Sequence, residues 1–282
     1  MKIGFIGAGK VGFSLGKYLT IHEKNVIGYY SQNLKSAQEA AEFTQTNFYN
    51  TLDAIVEDSD LLFLTVPDGT IQTVWESMKH LAIEGKILCH CSGSLSSAVF
   101  SDIDQLGGFG YSIHPLFAIN SKKHSYQQLS NTVFTLEGTE EKKEFMTEFI
   151  SSLGNQVQCF DTAMKAKYHS AAVFVSNHVT ALMHLGCKLL MECGFTEEMA
   201  NTALVPLFLG NANTVSTVGT LQALTGPVER NDIGTISRHL KCLDTQQRQL
   251  YCLLTKELLE VAEKKYPETD YNQLKSIIGE IS

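Results

Sequence analysis

The sequence predicts an α/β domain with a mainly parallel, doubly wound sheet, followed by an all-α domain. Three observations carry this. Short apolar runs alternate with segments of helical periodicity from Lys2 to about residue 160, the pattern of a parallel sheet with crossover helices. A spaced glycine motif, Gly7, Gly9 and Gly12, separates the first run from the first helical segment. From Asp161 strand-like runs give way to helical spacing through to the end. The expected domains are 1–160 and 161–282.

Taken in order, "KIGFIG" is a short apolar strand that stops at glycine, and "GKVGFSLGKYL" has helical spacing. "NVIGYYS" (25–31) predicts a second strand and the Ala/Glu-rich "KSAQEAAEF" (35–43) a helix. "DLLFLTVP" (60–67) is apolar almost throughout, as in a strand buried on both faces. "TIQTVWESMKHL" reads as helix and "KILCHCSG" (86–93) as strand. "FGYSIHPLF", "NTVFTLEG" and "NQVQCF" extend the sheet to about residue 160. The remainder predicts helices at 162–193 and 196–209, a Gly/Thr/Asn-rich patch at 210–226, then helices at 231–241, 244–265 and 270–279.

Composition narrows the function classes. Of 282 residues, 44% are hydrophobic and 18% charged, with a net charge of −8, which is ordinary for a globular protein. No basic stretch is present to attract nucleic acid or an anionic membrane. Met1-Lys2 leads straight into a strand, so no signal peptide is expected. No run of about 18 apolar residues predicts a membrane span. The seven cysteines, at 89, 91, 159, 187, 193, 242 and 252, match no zinc or redox spacing and read as reduced thiols of a cytoplasmic protein. No metal site is expected.

Gly7-Ala8-Gly9-Lys10-Val11-Gly12 has the G-x-G-x-x-G spacing of a dinucleotide-binding turn. Gly7 permits the tight turn, Gly9 lets the backbone approach a pyrophosphate, and Gly12 lets helix and strand pack closely. The helix start adds free N–H groups and the positive end of the helix dipole. NAD-binding chains place a carboxylate after the second strand to hold the ribose 2′-hydroxyl. Here that place reads Ser31-Gln32-Asn33, with Lys35 beyond. Such donors suit a 2′-phosphate, so NADP(H) is the expected cofactor. Val66, Pro67 and Asp68, at the end of the apolar run 60–67, are expected beneath the cofactor. Asp68 is also placed to cap the next helix.

With these motifs the chain resembles the 6-phosphogluconate dehydrogenase-like superfamily, which includes ketopantoate, hydroxyisobutyrate and pyrroline-5-carboxylate enzymes. More closely, "HCSGS", "SIHPL", "KYHSAAVFVSN" and "LTGPVERND" resemble Rossmann-like and DUF2520 proteins over the whole chain. The resemblance implies a Rossmann domain, a helical substrate domain and a catalytic lysine on the first helix after the sheet. Lys165 matches that lysine by position. The superfamily's asparagine, one turn later, is replaced here by His169, leaving the proton donor open between the two. Some related proteins use a deazaflavin.

On one continuous helix, Lys165, His169, Ala172 and Ser176 fall on one face, with Asn177 at its edge and Lys167 opposite. Lys165 and His169 are therefore the expected catalytic pair. Ser92, Gly93, Ser94, His114, Ser176, Asn177 and Arg230 are the expected substrate contacts, and Asp232 an N-cap. The reading is an NADPH-dependent reductase of a small 2-oxo acid, ketopantoate by analogy. Alternatives are an imino-acid reductase of pyrroline-5-carboxylate type and a non-catalytic NADP-binding regulator. More distant is a metal-dependent hydrolase using His90 and Cys91, or His178 and His184. The apolar residues Leu250, Leu253, Leu254, Leu258 and Val261 exceed what one buried face needs and predict a homodimer.

Overall fold

The computed structural model describes residues 1–279. Two compact units divide between Val179 and Thr180. The last strand ends at Cys159, so the first helical residues after the sheet group with the sheet.

The first unit is built on eight strands: β1 (Ile3–Ile6), β2 (Val26–Tyr30), β3 (Asn47–Tyr49), β4 (Leu61–Leu64), β5 (Ile87–His90), β6 (Phe109–Pro115), β7 (Phe134–Gly138) and β8 (Val157–Cys159). They lie in the order β3-β2-β1-β4-β5-β6-β7-β8. All neighbours are parallel except β6 and β7. Helices α1 (Lys10–Ile21), α2 (Leu34–Thr44), α3 (Leu52–Asp58), α4 (Asp68–Met78) and α5 (Lys143–Ser151) connect them, and α6 (Lys165–Phe174) follows β8. This is the mainly parallel, doubly wound sheet that the alternating pattern predicts.

Strands β1 and β4 are apolar without interruption because both faces are covered. Along β4, Leu61 and Phe63 enter one apolar cluster, while Leu62 and Leu64 enter the other. Phe5 stacks between Tyr29 and Phe63 across three adjacent strands. On the opposite face, Trp75 of α4 is fully buried, packs edge-on to Phe100 and donates its indole N–H to Ser101 O at 3.0 Å.

The second unit is helical: most of α7 (Asn177–Glu192), then α8 (Glu197–Ala223), α9 (Ile233–Cys242), α10 (Thr245–Lys265) and α11 (Asn272–Gly279). Its core joins Val228, Ile236, Leu240, Leu259, Leu274 and Ile278. Asp232 caps α9, accepting from Thr235 N at 2.9 Å, as expected. Asp244 and Gln247 form a capping box on α10.

Three local expectations are corrected. The helix predicted over 162–193 is two helices, broken at Val175 and Ser176. Ser176 Oγ donates to Ala172 O at 2.7 Å and Ser176 N to Val173 O at 3.3 Å, a tightened end that the serine itself favours. The helix predicted over 196–209 does not stop at the Gly/Thr/Asn-rich patch, because α8 runs on to Ala223 with a kink at Gly219, where φ is +76°. Thr214, Ser216 and Thr217 bond carbonyls three or four residues back in the same helix, so polar composition does not prevent helix there. Finally, β3 and α3 have no counterpart among the predicted elements. β3 is a three-residue edge strand with two exposed residues, too short to show a period.

Candidate functional site

The turn from β1 to α1 leads into a cavity of about 600 Å³. Gly7 has φ of +103°, and a Cβ there would stand 2.8 Å from Thr65 C. A Cβ on Gly12 would stand 2.5 Å from Gly7 O and 2.6 Å from Thr65 Oγ1. Thr65 Oγ1 in turn donates to Gly7 O at 2.7 Å. Gly9 differs, since the nearest atom to its Cβ position is Thr65 O at 3.8 Å. Two glycines are thus required by the protein's own packing, and the third leaves space on the cavity side. Gly9 is the N-cap of α1 without a side-chain cap, so the first-turn N–H groups of Lys10, Val11 and Gly12 are not capped by a side chain.

Gly7, Ala8, Gly9, Ser31, Gln32, Asn33, Val66 and Pro67 line this cavity with Thr65, Ser36 and Lys122. No Asp or Glu is among the lining residues. Asn33 also caps α2, accepting from Ser36 N at 3.3 Å. These features fit a dinucleotide: a backbone cradle open at Gly9, free helix N–H groups and hydroxyl and amide donors at the end of β2. Asp68 is not in the lining. It is the first residue of α4 rather than its cap, which is Pro67. Its carboxylate accepts from Ser92 Oγ at 2.6 Å and Ser94 Oγ at 2.9 Å.

Those bonds fix the turn after β5. Ser92 Oγ also accepts from Ser94 N at 3.1 Å and Leu95 N at 2.9 Å. The carboxylate that "HCSGS" holds in the structure is therefore that of Asp68. His90 is fully buried; Ser92 N donates to its Nδ1 at 3.2 Å, so its Nε2 carries the proton and donates to Ser96 O at 3.2 Å. Burial pushes His90 down to about 4 and keeps it neutral.

Beyond this turn lies a second group of polar side chains. Lys165, at the start of α6, is buried and donates to Ser112 Oγ on β6 at 2.6 Å. The ammonium lies 5.4 Å from the Tyr168 ring centroid and 5.8 Å from that of Phe160. Burial lowers its pKa, and the carboxylates of Glu137 and Asp68 oppose the shift. His114, two residues along β6 from Ser112 and so on the same face, pairs through Nδ1 with Tyr168 Oη at 2.6 Å. Burial, then the Lys165 charge, push His114 down to about 4.

His169 lies one turn after Lys165, and its Nδ1 is buried with no hydrogen-bond partner. A Cβ on Gly93 would meet His169 Nδ1 at 2.7 Å and His114 Nε2 at 3.0 Å. Glycine at 93 therefore lets two imidazole nitrogens converge on the turn. Glu137, fully buried on β7, accepts from Ser97 N, Ser97 Oγ and Thr162 Oγ1 at 2.7 to 2.8 Å. It ties the start of α6 to the sheet.

The structure thus groups Lys165, His169, His114 and Gly93. Ser176 and Asn177 are exposed at the break after α6, bonded to each other at 3.0 Å, and do not continue the Lys165 face. Lys167 is exposed. Arg230 belongs to the second unit, in the turn before α9. Ser112, Glu137, Tyr168, Thr65 and Lys122 escape the sequence reading. Ser112 has a legible signal, since period two puts it beside His114, and Glu137 has another, as an acid inside an apolar strand. Among the described residues, no three His, Cys, Asp or Glu side chains gather as metal ligands. No described helix is long and apolar enough to cross a membrane. All seven cysteines are free.

Comparison with known proteins agrees with the motifs. Residues 1–115 match the Rossmann-like domain model, and residues 132–258 match the domain of unknown function DUF2520. The chain joins these two domains, as its motifs indicate. Among solved structures, protein TM1727 from Thermotoga maritima is similar at 28% identity and a TM-score of 0.75, over 93% of this chain and 99% of that one. The proposed NADP oxidoreductase BF3122 from Bacteroides fragilis is similar at 23% identity and a TM-score of 0.72, over 92% and 98%. The pyrroline carboxylate reductase of Plasmodium falciparum, solved with NADP bound, shares the fold at 12% identity and a TM-score of 0.58, over 94% and 97%. No curated protein matches the sequence.

The three glycines give a test of the cradle. Gly7→Ala should destabilise the protein by about 1–3 kcal/mol, because the backbone stays strained and the methyl meets β4. Gly12→Ala should also destabilise it. Gly9→Ala should melt near the wild-type temperature yet bind NADPH far more weakly. Thermal denaturation beside fluorescence titration reads both effects. A Gly9→Ala protein as unstable as Gly7→Ala contradicts the assignment.

Proposed function

We propose that the protein is an NADPH-dependent oxidoreductase that reduces a small 2-oxo acid in the cytoplasm, with ketopantoate the leading candidate substrate. The observation that carries this reading is the pairing, within one unit, of an acid-free dinucleotide cavity with a buried lysine-histidine cluster. When bound, the coenzyme supplies a hydride. Every other requirement falls on side chains.

The substrate oxygen gains electron density as the carbonyl is reduced, and it needs a proton. Lys165 and His169 are the groups that supply it. His169 Nδ1 is buried without a partner, so an oxygen placed against it satisfies an atom that is otherwise costly to bury. Lys165 has lost proton affinity to burial, which makes it a stronger acid than a solvated lysine. His114, kept neutral, positions Tyr168 and adds no competing charge. Asp68 acts at one remove, holding Ser92 and Ser94 so that Gly93 stays beneath the two imidazoles.

A C=N bond is the alternative acceptor. A pyrroline carboxylate reductase shares this fold, and a cyclic imino acid presents the same small, anionic outline as a 2-oxo acid. The second unit supports a homodimer. On α10, Leu250, Leu253, Leu254 and Leu258 are each at least 39% exposed, an apolar stripe that water does not favour and a second copy covers. Sedimentation should give a dimer at micromolar concentration; a monomer there contradicts this part of the reading.

Lys165→Met and His169→Leu test the chemistry. Each should leave NADPH affinity and melting temperature close to wild type while turnover falls by about 10²-fold or more. Lys167→Met, on the exposed side, should keep its activity. Turnover of the wild type should fall as pH rises through the Lys165 pKa, which lies below 10.5, since the protonated form is the acid. Lys165→Met should lose that alkaline limb. A wild type that binds coenzyme without turning over any acid favours the non-catalytic regulator instead, and unaltered turnover in Lys165→Met and His169→Leu removes these two residues as proton donors.

A further inference from the structure

We infer that Lys122, a residue with no place in the dinucleotide motif, binds the 2′-phosphate of NADPH and so selects it over NADH. The inference rests on the coenzyme reading above and adds the residue that reads the extra phosphate. Lys35, the cation nearest in sequence to Ser31, is exposed and does not line the cavity. Lys122, in the chain after β6, does line it, together with Ser31, Gln32, Asn33 and Ser36. It is the one side chain among the lining residues that carries a full positive charge.

The backbone at Lys122 is pinned while its side chain is held loosely. Buried Ser14 of α1 donates Oγ to Ser121 O at 3.2 Å and to Lys122 O at 3.5 Å. The ammonium lies 4.7 Å from the Phe13 ring centroid. Its acidic partner is Glu39 of α2 at 4.0 Å, with the two side chains 39% and 49% exposed. A pair that long and that wet contributes little, so exchanging Glu39 for a phosphate dianion costs little. The gain is a charge-assisted bond for which Glu39, outside the cavity lining, competes only weakly.

The position favours the 2′-phosphate over the bridging phosphates. The bridging pair would already have the Gly7 to Gly9 backbone and the first-turn N–H groups of α1. Lys122 faces Phe13 and α2, the helix whose start carries Asn33 and Ser36 at the end of β2. That strand end is where a dinucleotide's adenine ribose is read.

Fluorescence titration with NADPH and with NADH decides it, on the wild type, Lys122→Met and Glu39→Gln. Methionine keeps the apolar stem over Phe13 and removes the charge. Lys122→Met should raise the NADPH dissociation constant by about tenfold or more, the scale of losing a bond to a charged group. Its NADH constant should change by less than about twofold, because no lost charge contacts NADH. Glu39→Gln should change either dissociation constant by less than about twofold, because the long, exposed pair it removes contributes little. Equal weakening for both coenzymes puts Lys122 on the shared phosphates and overturns the inference, as does unchanged binding of both. A wild type that binds neither coenzyme removes the coenzyme reading itself. A wild type that prefers NADPH beside an unaffected Lys122→Met removes only the role of Lys122.

Discussion

The close approach of the β1–α1 turn to the end of β4 is the contact on which the site depends. Gly7 takes a backbone conformation that side chains rarely adopt, and Thr65 holds it there by donating to its carbonyl. Gly12 then brings α1 down onto the same carbonyl. The result is a helix whose uncapped N–H groups face open space instead of protein. Any side chain at 7 or 12 pushes α1 away from the sheet and closes or tilts that opening. The apolar strands behind it, buried on both faces, supply the rigidity that keeps the turn in place.

A second constraint is the desolvation of charge around Lys165. A lysine buried at this depth is costly unless it is bonded, and here Ser112 accepts from it while Glu137 opposes its loss of charge. Glu137 is itself satisfied by three donors from the segments on either side. The network therefore has one buried cation, one buried anion and two neutral histidines. Glu137, through Ser97 and Thr162, ties the segment before α6 to β7 without help from Lys165. The network also leaves His169 Nδ1 as the polar atom with nothing of the protein's own to bond.

The fold was legible because its signals are strong and local. Alternating runs, a continuous apolar strand at 60–67 and a glycine motif directly after β1 admit few other architectures. The glycine turn proposed to cradle the dinucleotide was legible for the same reason, from Gly7 to Gly12. The polar cluster was legible only in part. Lys165 and His169 announce themselves by one-turn spacing on a helix. Glu137, Ser112 and Tyr168 matter through contacts with strands or helices far away in sequence, and no local period reports those. Ser176 and Asn177 were misplaced because a serine that back-bonds within its helix ends it, which helical spacing alone does not reveal. Lys122 was invisible, lying in an irregular segment brought to the cavity by the packing of Ser14.

In the proposed reaction the coenzyme's hydride reaches a substrate held against Lys165 and His169. The most direct measurement uses NADPH carrying deuterium at the nicotinamide C4 on the transferred face, incubated with a panel of 2-oxo acids and cyclic imino acids. Mass spectrometry of the products should find one acid reduced, with one deuterium on the former carbonyl or imine carbon. Coenzyme that stays bound and unconsumed across the panel, with no label in any product, contradicts the claim and leaves a protein that holds the dinucleotide without using it.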